Sequence, residues 1–533
     1  MSSRKNRRSE KILVKEGIQD VNDANRKKFG IAGLPRLELL VYGAIAIVFF
    51  IWYPIYKVYV ESQASVYKFN YGVLVDGFDV LGGLKDDADF EWNFWRELIT
   101  LKGSVIVFTY IAFGRLALSF CAEWRNSVLL LFSMVSITLL VTWKCMLVLL
   151  CYAVFMYLVS FSKRALVVWA AVLGQLYTIM SPFLLSYLSN FTDSEFDYHM
   201  TIFSVALCNL RFLSFCLDYC SHFSDDSTRF GVLDFLLYIF YLPLFFSGPL
   251  MSYKDFHNQI EKKSERLSIA QYLQIIKELL RYVICIIFIE IAMHFVYFAA
   301  YHQSFNLLRR LPLWALAGNG LCHLIFFQLK YEVMFGVPRT VAMLDQVNTP
   351  KPPVCILAVF RFVDMWRYFD RGLHSILLNY IYIPVGGSRK GFVRQMLGSL
   401  LCFAFVYYWH GVETHIFYWA LFNWVGVVLE TVTSKVLNSE TAKAYVYKFN
   451  LSCVSWRRLT ALFSAPGYIA LSLANLLFLS GIDMGYLYFE RLIIKSFPTG
   501  PLVMLFLYYC MVQLILECHR TWGKKYLCEK AYL

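Results

Sequence analysis

Residues 403–411 read Phe403-Ala404-Phe405-Val406-Tyr407-Tyr408-Trp409-His410-Gly411. A long apolar, aromatic run ends there on a histidine, and the glycine that follows permits a turn or a close approach. The run starts near residue 396, and the chain holds many like it: about 39–59, 103–121, 127–143, 146–161, 165–189, 272–300, 311–335, 415–433, 458–481 and 500–517. Many approach or exceed the ~20 residues that a helix needs to cross hydrocarbon. The 533 residues are 59% hydrophobic and only 16% charged, whereas a soluble domain is about a quarter charged. Disorder, a fibrous repeat and an ordinary cytosolic enzyme are thereby excluded. The fold class is an all-α polytopic membrane protein. Its aromatic content of 18% agrees, because Trp and Tyr collect at membrane–water boundaries.

The net charge of +13 would suggest nucleic acid in a soluble protein. Here the basic residues fall mostly in short segments between apolar runs, the mark of cytoplasmic loops, and no basic–aromatic module stands outside those runs. Nucleic acid is not an expected partner. The fourteen cysteines include no CxxC pair and lie mostly inside apolar stretches, where a cysteine is by default a small buried hydrophobe.

Residues 1–36 are polar and basic (Arg4, Lys5, Arg7 and Arg8 among them), too long and charged for a simple signal peptide. They are expected to form a cytosolic arm on anionic lipid, with residues 37–533 as the membrane domain. The acidic stretch from Asp76 to Glu91 suits the far side, Lys163 and Arg164 the cytosol, and Thr192 to Asp197 the lumen. The sequon at Asn190 hugs the membrane, which argues against its use. A span at 229–247 would carry the basic stretch Lys254 to Arg266 to the lumen, and Ser247-Gly248-Pro249 ends that run with helix breakers. A re-entrant segment resolves the conflict, since irregular backbone is tolerated at membrane depth where protein or a wet cavity satisfies it. Residues 336–395 form a polar, proline-broken stretch. The expectation is roughly ten or eleven spans with one or two re-entrant loops and no soluble domain.

A charge at the bilayer centre costs at least ~2.5–3.5 kcal/mol, so Arg115, Arg211, Asp218, Asp234, Glu290 and Lys330 each need a reason. Arg211 and Asp218 are two helical turns apart and share a face, which reads as a structural pair or a wet cavity. His294 and His323 read as satisfied core or interface residues rather than ligands. The segment Met365-Trp366-Arg367-Tyr368-Phe369-Asp370-Arg371-Gly372-Leu373-His374 differs, because it packs ionisable and aromatic groups into a polar break. A lone histidine such as His410 is structural more often than not. Beside a cavity that also holds an aspartate, it can serve as a general base.

At these residues the sequence resembles the membrane-bound O-acyltransferase superfamily, which is marked by an apolar-flanked histidine and a polar residue some tens of positions upstream. Gly82 to Asp87, Asp89 to Trp95, Met365 to His374, Tyr380 to Gly387 and Phe403 to Gly411 together resemble its hedgehog-acyltransferase branch, from about residue 35 onward. The resemblance implies a helical bundle around a membrane-spanning tunnel in the endoplasmic reticulum or Golgi membrane. It also implies transfer of palmitate from palmitoyl-CoA to the N-terminal cysteine amine of a hedgehog protein, with membrane lipids around the bundle. By the same resemblance His410 and Asp370 are catalytic, and Asn475, Trp366 and Arg367 bind substrate. Cys355 matches a haem ligand, and a thiolate can hold haem iron, of b type here; no other metal is implied. Arg389, Lys390 and Arg394 are candidates for the CoA phosphates, although a solvated cytosolic face explains them equally. An inert relative of this branch lacks the histidine, so its presence favours an active enzyme. Three alternatives stay open: an acyltransferase for a Wnt serine, a ghrelin-like peptide or a lysophospholipid; an inactive regulatory homologue; and a transporter, against which the lack of paired broken helices argues.

Overall fold

A computed structural model describes residues 31–521 apart from 71, 121, 222–229, 262–266, 438 and 440–451. All but its last few positions place the basic arm 1–36 outside the described residues. Eight described helices are long and apolar enough to cross a membrane, and a ninth candidate is a bent pair, Ala165–Thr178 with Pro182–Phe191, at 65°. The sequence reads 165–189 as one run. The break has a local cause, because Pro182 lacks the N–H that would continue the ladder and instead opens a new helix.

Helix α1 spans Arg36–Lys68. A small antiparallel hairpin follows, β1 (Leu74–Asp76) on β2 (Leu84–Asp86), with Val75 opposite Lys85. Its two strands add a minor β element to the helical expectation. Helix α2 (Phe90–Leu98) starts where the Asp89 side chain accepts the Trp92 N–H at 2.7 Å. Helix α3 (Glu195–Ser221) is the axis of the bundle: 78% of its apolar window is buried, against 17–33% in the other seven candidate spans.

The segment after α3 is broken as expected. Helix α4 (Val232–Phe240) stops at Tyr241, and the short α5 (Leu242–Phe245) follows. Arg211 of α3 donates to the carbonyls of Ile239 (2.8 Å), Leu244 and Phe245 (3.4 Å), and Ser133 accepts the Leu242 N–H at 3.2 Å. Irregular backbone at this depth is thereby satisfied by protein. The expected link between Arg211 and Asp218 is corrected. Two turns put the groups ~10 Å apart along the axis, and Asp218 instead accepts from Tyr380 Oη (3.0 Å) and the Lys254 N–H (3.2 Å). Asp234, in the first turn of α4, lies with His257 and Glu261, their ligand-type atoms all within 4.8 Å of one another. For Arg115, one guanidinium nitrogen is buried without a partner among the described residues.

Helices α6 (Ile269–Phe295) and α7 (Leu313–Leu344) carry the buried Glu290 and Lys330, and α7 runs through Pro338 well past its apolar run. The polar stretch beyond α7 folds into short helices, including α8 (Phe362–Tyr368) and α9 (Arg371–Leu377). Helices α10 (Phe392–Trp409), α11 (Thr414–Leu437), α12 (Cys453–Ile494, kinked at Gly481) and α13 (Thr499–Thr521) complete the bundle.

Hairpin and α2 dock on α6 and α7 through buried charges. Lys85 pairs with Glu290, whose other oxygen accepts from Trp92 Nε1 at 2.8 Å. Asp86 accepts the Ala299 and Ala300 N–H groups at 2.8 and 3.1 Å. Lys330 meets Asp89 at 3.0 Å and Glu91 at 2.8 Å. His294 is satisfied core, as expected: it stacks on Phe78, and its ring nitrogens bond the Phe78 N–H and the Glu290 carbonyl.

Candidate active site

His410 caps the C-terminus of α10, its N–H bonded to the Val406 carbonyl at 3.0 Å. Gly411 (φ 110°) and Val412 (φ 62°) turn the chain away at once. A left-handed β-branched residue is a genuine outlier, so this turn is held against local preference. Trp409 anchors the helix end to α3 by donating to the Ala206 carbonyl at 3.0 Å. The imidazole is walled edge-to-face by Trp409, Trp419 and Phe478, with ring centroids at 4.7, 5.9 and 5.3 Å.

Trp419 connects the histidine to two other expected residues. Its Nε1 donates to Asn475 Oδ1 at 3.4 Å, which leaves the Asn475 amide nitrogen as the donor end. Trp366 lies 5.5 Å from Trp419, stands edge-on to Phe403, and donates to Asn423 Oδ1 at 3.0 Å. Asp370 is the N-cap of α9 and accepts the Leu373 N–H at 2.8 Å. Next to it, Phe369 stacks on Phe327 at 5.0 Å; Phe327 meets Phe478 at 6.2 Å, and Phe478 meets His410. A chain of aromatic rings thus runs from Phe369, the neighbour of Asp370, to His410. Arg367 does not join them: it is exposed, its guanidinium 5.9 Å from the Tyr368 ring.

One cavity of about 340 Å³ opens beside this wall, within the ~300–1,000 Å³ common for small-molecule pockets. Asn475, Phe327 and Met365 line it at the site, and Gly320, Tyr488 and Trp314 line it elsewhere. Cys355 sits next to its lining residues Ile356 and Leu357, and burial pushes the thiol above its ordinary pKa. A free, half-buried sulfur at that position is the donor type that a haem thiolate requires. Arg389, Lys390 and Arg394 are exposed around the start of α10. Eighteen helical residues, ~27 Å, separate that end from His410.

The sequence did not single out Glu91, Tyr331 or Trp419. Tyr331 Oη donates to Glu91 Oε1 at 2.7 Å, and Phe369 packs on the Tyr331 ring at 5.8 Å. The acidic start of α2 therefore reaches the site. The available signal was the run Asp89 to Trp95, an acid-capped amphipathic helix start.

A multi-pass membrane bundle whose apolar cavity is lined by an amide, one indole away from a ring-walled histidine, suits chemistry on a lipid-like group. The profile of the membrane-bound O-acyltransferase family matches residues 154–469, and the chain belongs to that family. It is 30% identical to the mouse protein-cysteine N-palmitoyltransferase HHAT over 85% of this chain and 93% of that protein. It is 29% identical to the mouse HHAT-like protein, over 84% and 87% of the two chains, and 25% identical to Rasp of Drosophila melanogaster, over 85% and 89%.

Proposed function

We propose that this protein transfers palmitate from palmitoyl-CoA to the α-amino group of an N-terminal cysteine, on a secreted hedgehog protein, in the endoplasmic reticulum or Golgi membrane. The observation that carries the reading is the link through Trp419, which packs edge-on to His410 and bonds Asn475 at the lining of one apolar cavity. Near-full-length similarity to two animal N-palmitoyltransferases supports the substrate class.

The incoming α-ammonium, of reference pKa about 7.7–8.0, must lose a proton before it can attack. Asp370 orients that cation, and His410 takes the proton, directly or through water. The amine nitrogen then bonds to the thioester carbon while the Asn475 amide donates to the developing oxyanion. The C–S bond breaks, the thiolate leaves and is protonated to CoA thiol, and the second amine proton goes to solvent. Trp366 holds the wall through Asn423 and Trp419, and Arg367 meets substrate only at the rim. Arg389, Lys390 and Arg394 offer cations to the CoA phosphates. Cys355 would hold haem iron through its thiolate, and haem there would supply structural bracing, with no transfer step running through it.

The test offers palmitoyl-CoA with a lysophospholipid and with peptides beginning in Cys, in Ser, or blocked at the amine. Labelling of the free-amine Cys peptide alone is expected. Labelling of a Ser hydroxyl or a lysophospholipid instead would reassign the acceptor, and no labelling of any acceptor would leave a regulatory homologue.

A further inference from the structure

Behind the cavity wall lies a buried polar cluster that the transfer chemistry does not use. Tyr488, fully buried, receives a hydrogen bond from Asn319 Nδ2 at 2.9 Å and shares one with His302 Nε2 at 2.9 Å. The other ring nitrogen of His302 faces Ser480 Oγ at 3.3 Å. His302 also stacks on His323, with centroids 4.0 Å apart. Asn319 and His323 lie one turn apart on α7. Asn319 Oδ1 and His323 Nδ1 are buried without a partner among the described residues. His323 therefore departs from the satisfied core residue expected of it.

An orphaned buried polar atom costs about 1–3 kcal/mol, so an apolar filling here would be more stable. The cluster is retained at a cost, and what it holds in place is the Tyr488 ring. That ring lines the cavity together with Gly320, next to Asn319. A Cβ at Gly320 would stand 3.1 Å from Tyr488 Cε1 and 3.0 Å from Leu476 Cδ1. The absence of a side chain lets the helix backbone press on the ring, and the hydroxyl network fixes its far edge. The ring is clamped from both sides.

We propose that the Asn319–Tyr488–His302 network makes Tyr488 a fixed wall of the acyl cavity and thereby selects the length and shape of the acyl chain. This rests on the palmitoyl-transfer reading above. A rigid wall discriminates by exclusion, and one methylene in such a pocket is worth ~10–200-fold in kcat/KM. Tyr488 is a specificity-determining residue, with Asn319 and His302 positioning it.

The experiment uses the full chain in nanodiscs with an N-terminal Cys peptide and myristoyl-, palmitoyl-, palmitoleoyl- and stearoyl-CoA. It compares wild type with Tyr488→Phe, Asn319→Leu and Tyr488→Ala. The first two keep the ring and loosen it. Each is expected to raise kcat/KM for the disfavoured chains relative to the preferred one by ~10-fold, with the peptide KM unchanged. Tyr488→Ala should favour the longest chain most. Binding of non-hydrolysable thioether analogues of the same four acyl-CoAs is measured in parallel and should shift in the same order. An unchanged chain profile in Tyr488→Phe and Asn319→Leu, or a proportionate loss on every chain, overturns the proposal. If Tyr488→Ala fails to fold, the two tether variants decide. A wild type that transfers nothing while its analogue-binding profile shifts as expected would sink the transferase reading and leave the wall standing.

Discussion

Segment 74–98 and the end of α10 bury polar groups in opposite ways. In the first, the buried charges meet a counter-charge or a backbone donor: Lys85 with Glu290, Asp86 with the Ala299 and Ala300 N–H groups, Lys330 with Asp89 and Glu91. In the second, His410 is surrounded by indole and phenyl rings. Paired charges hold a shape, because breaking such a pair leaves a bare ion in low dielectric. An imidazole among rings is free to exchange a proton with whatever enters the cavity. The same contrast separates elements that hold the fold from elements that carry out transfer, and substitution can pull the two apart.

The largest effect should come from the ring-walled side. His410→Ala is expected to cut palmitoyl transfer by ~10²–10⁴-fold, the usual worth of a general base. The melting temperature should stay near wild type, since among the described residues only ring contacts, and no hydrogen bond, tie the imidazole to other helices. Asp370→Asn should lose a comparable factor while keeping α9, because Asn caps a helix as well as Asp. Radiolabel transfer and a melting curve on the same preparation read both. Wild-type transfer by purified His410→Ala protein would end its assignment as the base.

On the charge-paired side the order reverses. Lys330→Met strands Asp89 and Glu91 and should cost ~3–5 kcal/mol of stability, read as faster proteolysis at segment 74–98 and a lower melting temperature. Some activity should fall as well, because Glu91 and Tyr331 border the site. Arg211→Met should cost about as much by orphaning the carbonyls of α4 and α5, with the loss centred on the broken segment rather than on the cap formed by residues 74–98. If Lys330→Met leaves the cap protected but abolishes transfer, the division of labour is wrong, and the ion pairs belong to the chemistry.

Most of the fold was legible because spans are written in long apolar runs and breaks in Gly and Pro. The broken segment at 229–247 could be read from charge placement together with the breakers Gly248 and Pro249. The bend before Pro182 could not, because the apolar run continues across it. Arg211 and Asp218 show a different limit. Helical spacing fixes which face a side chain leaves from, but the partners were carbonyls and a tyrosine on other elements. Distance along the chain hid Glu91, since its link to Tyr331 joins residues 240 positions apart. The catalytic candidates were visible only through family resemblance, and Arg367 shows that matching residues need not share a wall.

The smallest effect sharpens the comparison within the cap. Asp86 is the one acid there whose counterparts are N–H groups of Ala88, Ala299 and Ala300 rather than a cation, and burial pushes its carboxyl up to about 7 despite them. A folded pKa raised above the unfolded value near 3.9 favours the protonated form in the folded state. Its contribution is complete below about pH 4 and is lost as pH rises through about 7. Between pH 6 and 8 the cap should therefore loosen by about 1 kcal/mol, the worth of roughly one pKa unit. Limited proteolysis across that range should show cleavage near 74–98 rising with pH. In Asp86→Asn the cap should be weaker throughout, because the amide sets its own N–H against those donors, but the dependence on pH should flatten. A slope that survives the substitution would assign the titration to another group and leave Asp86 ionised, held as a carboxylate by its backbone donors.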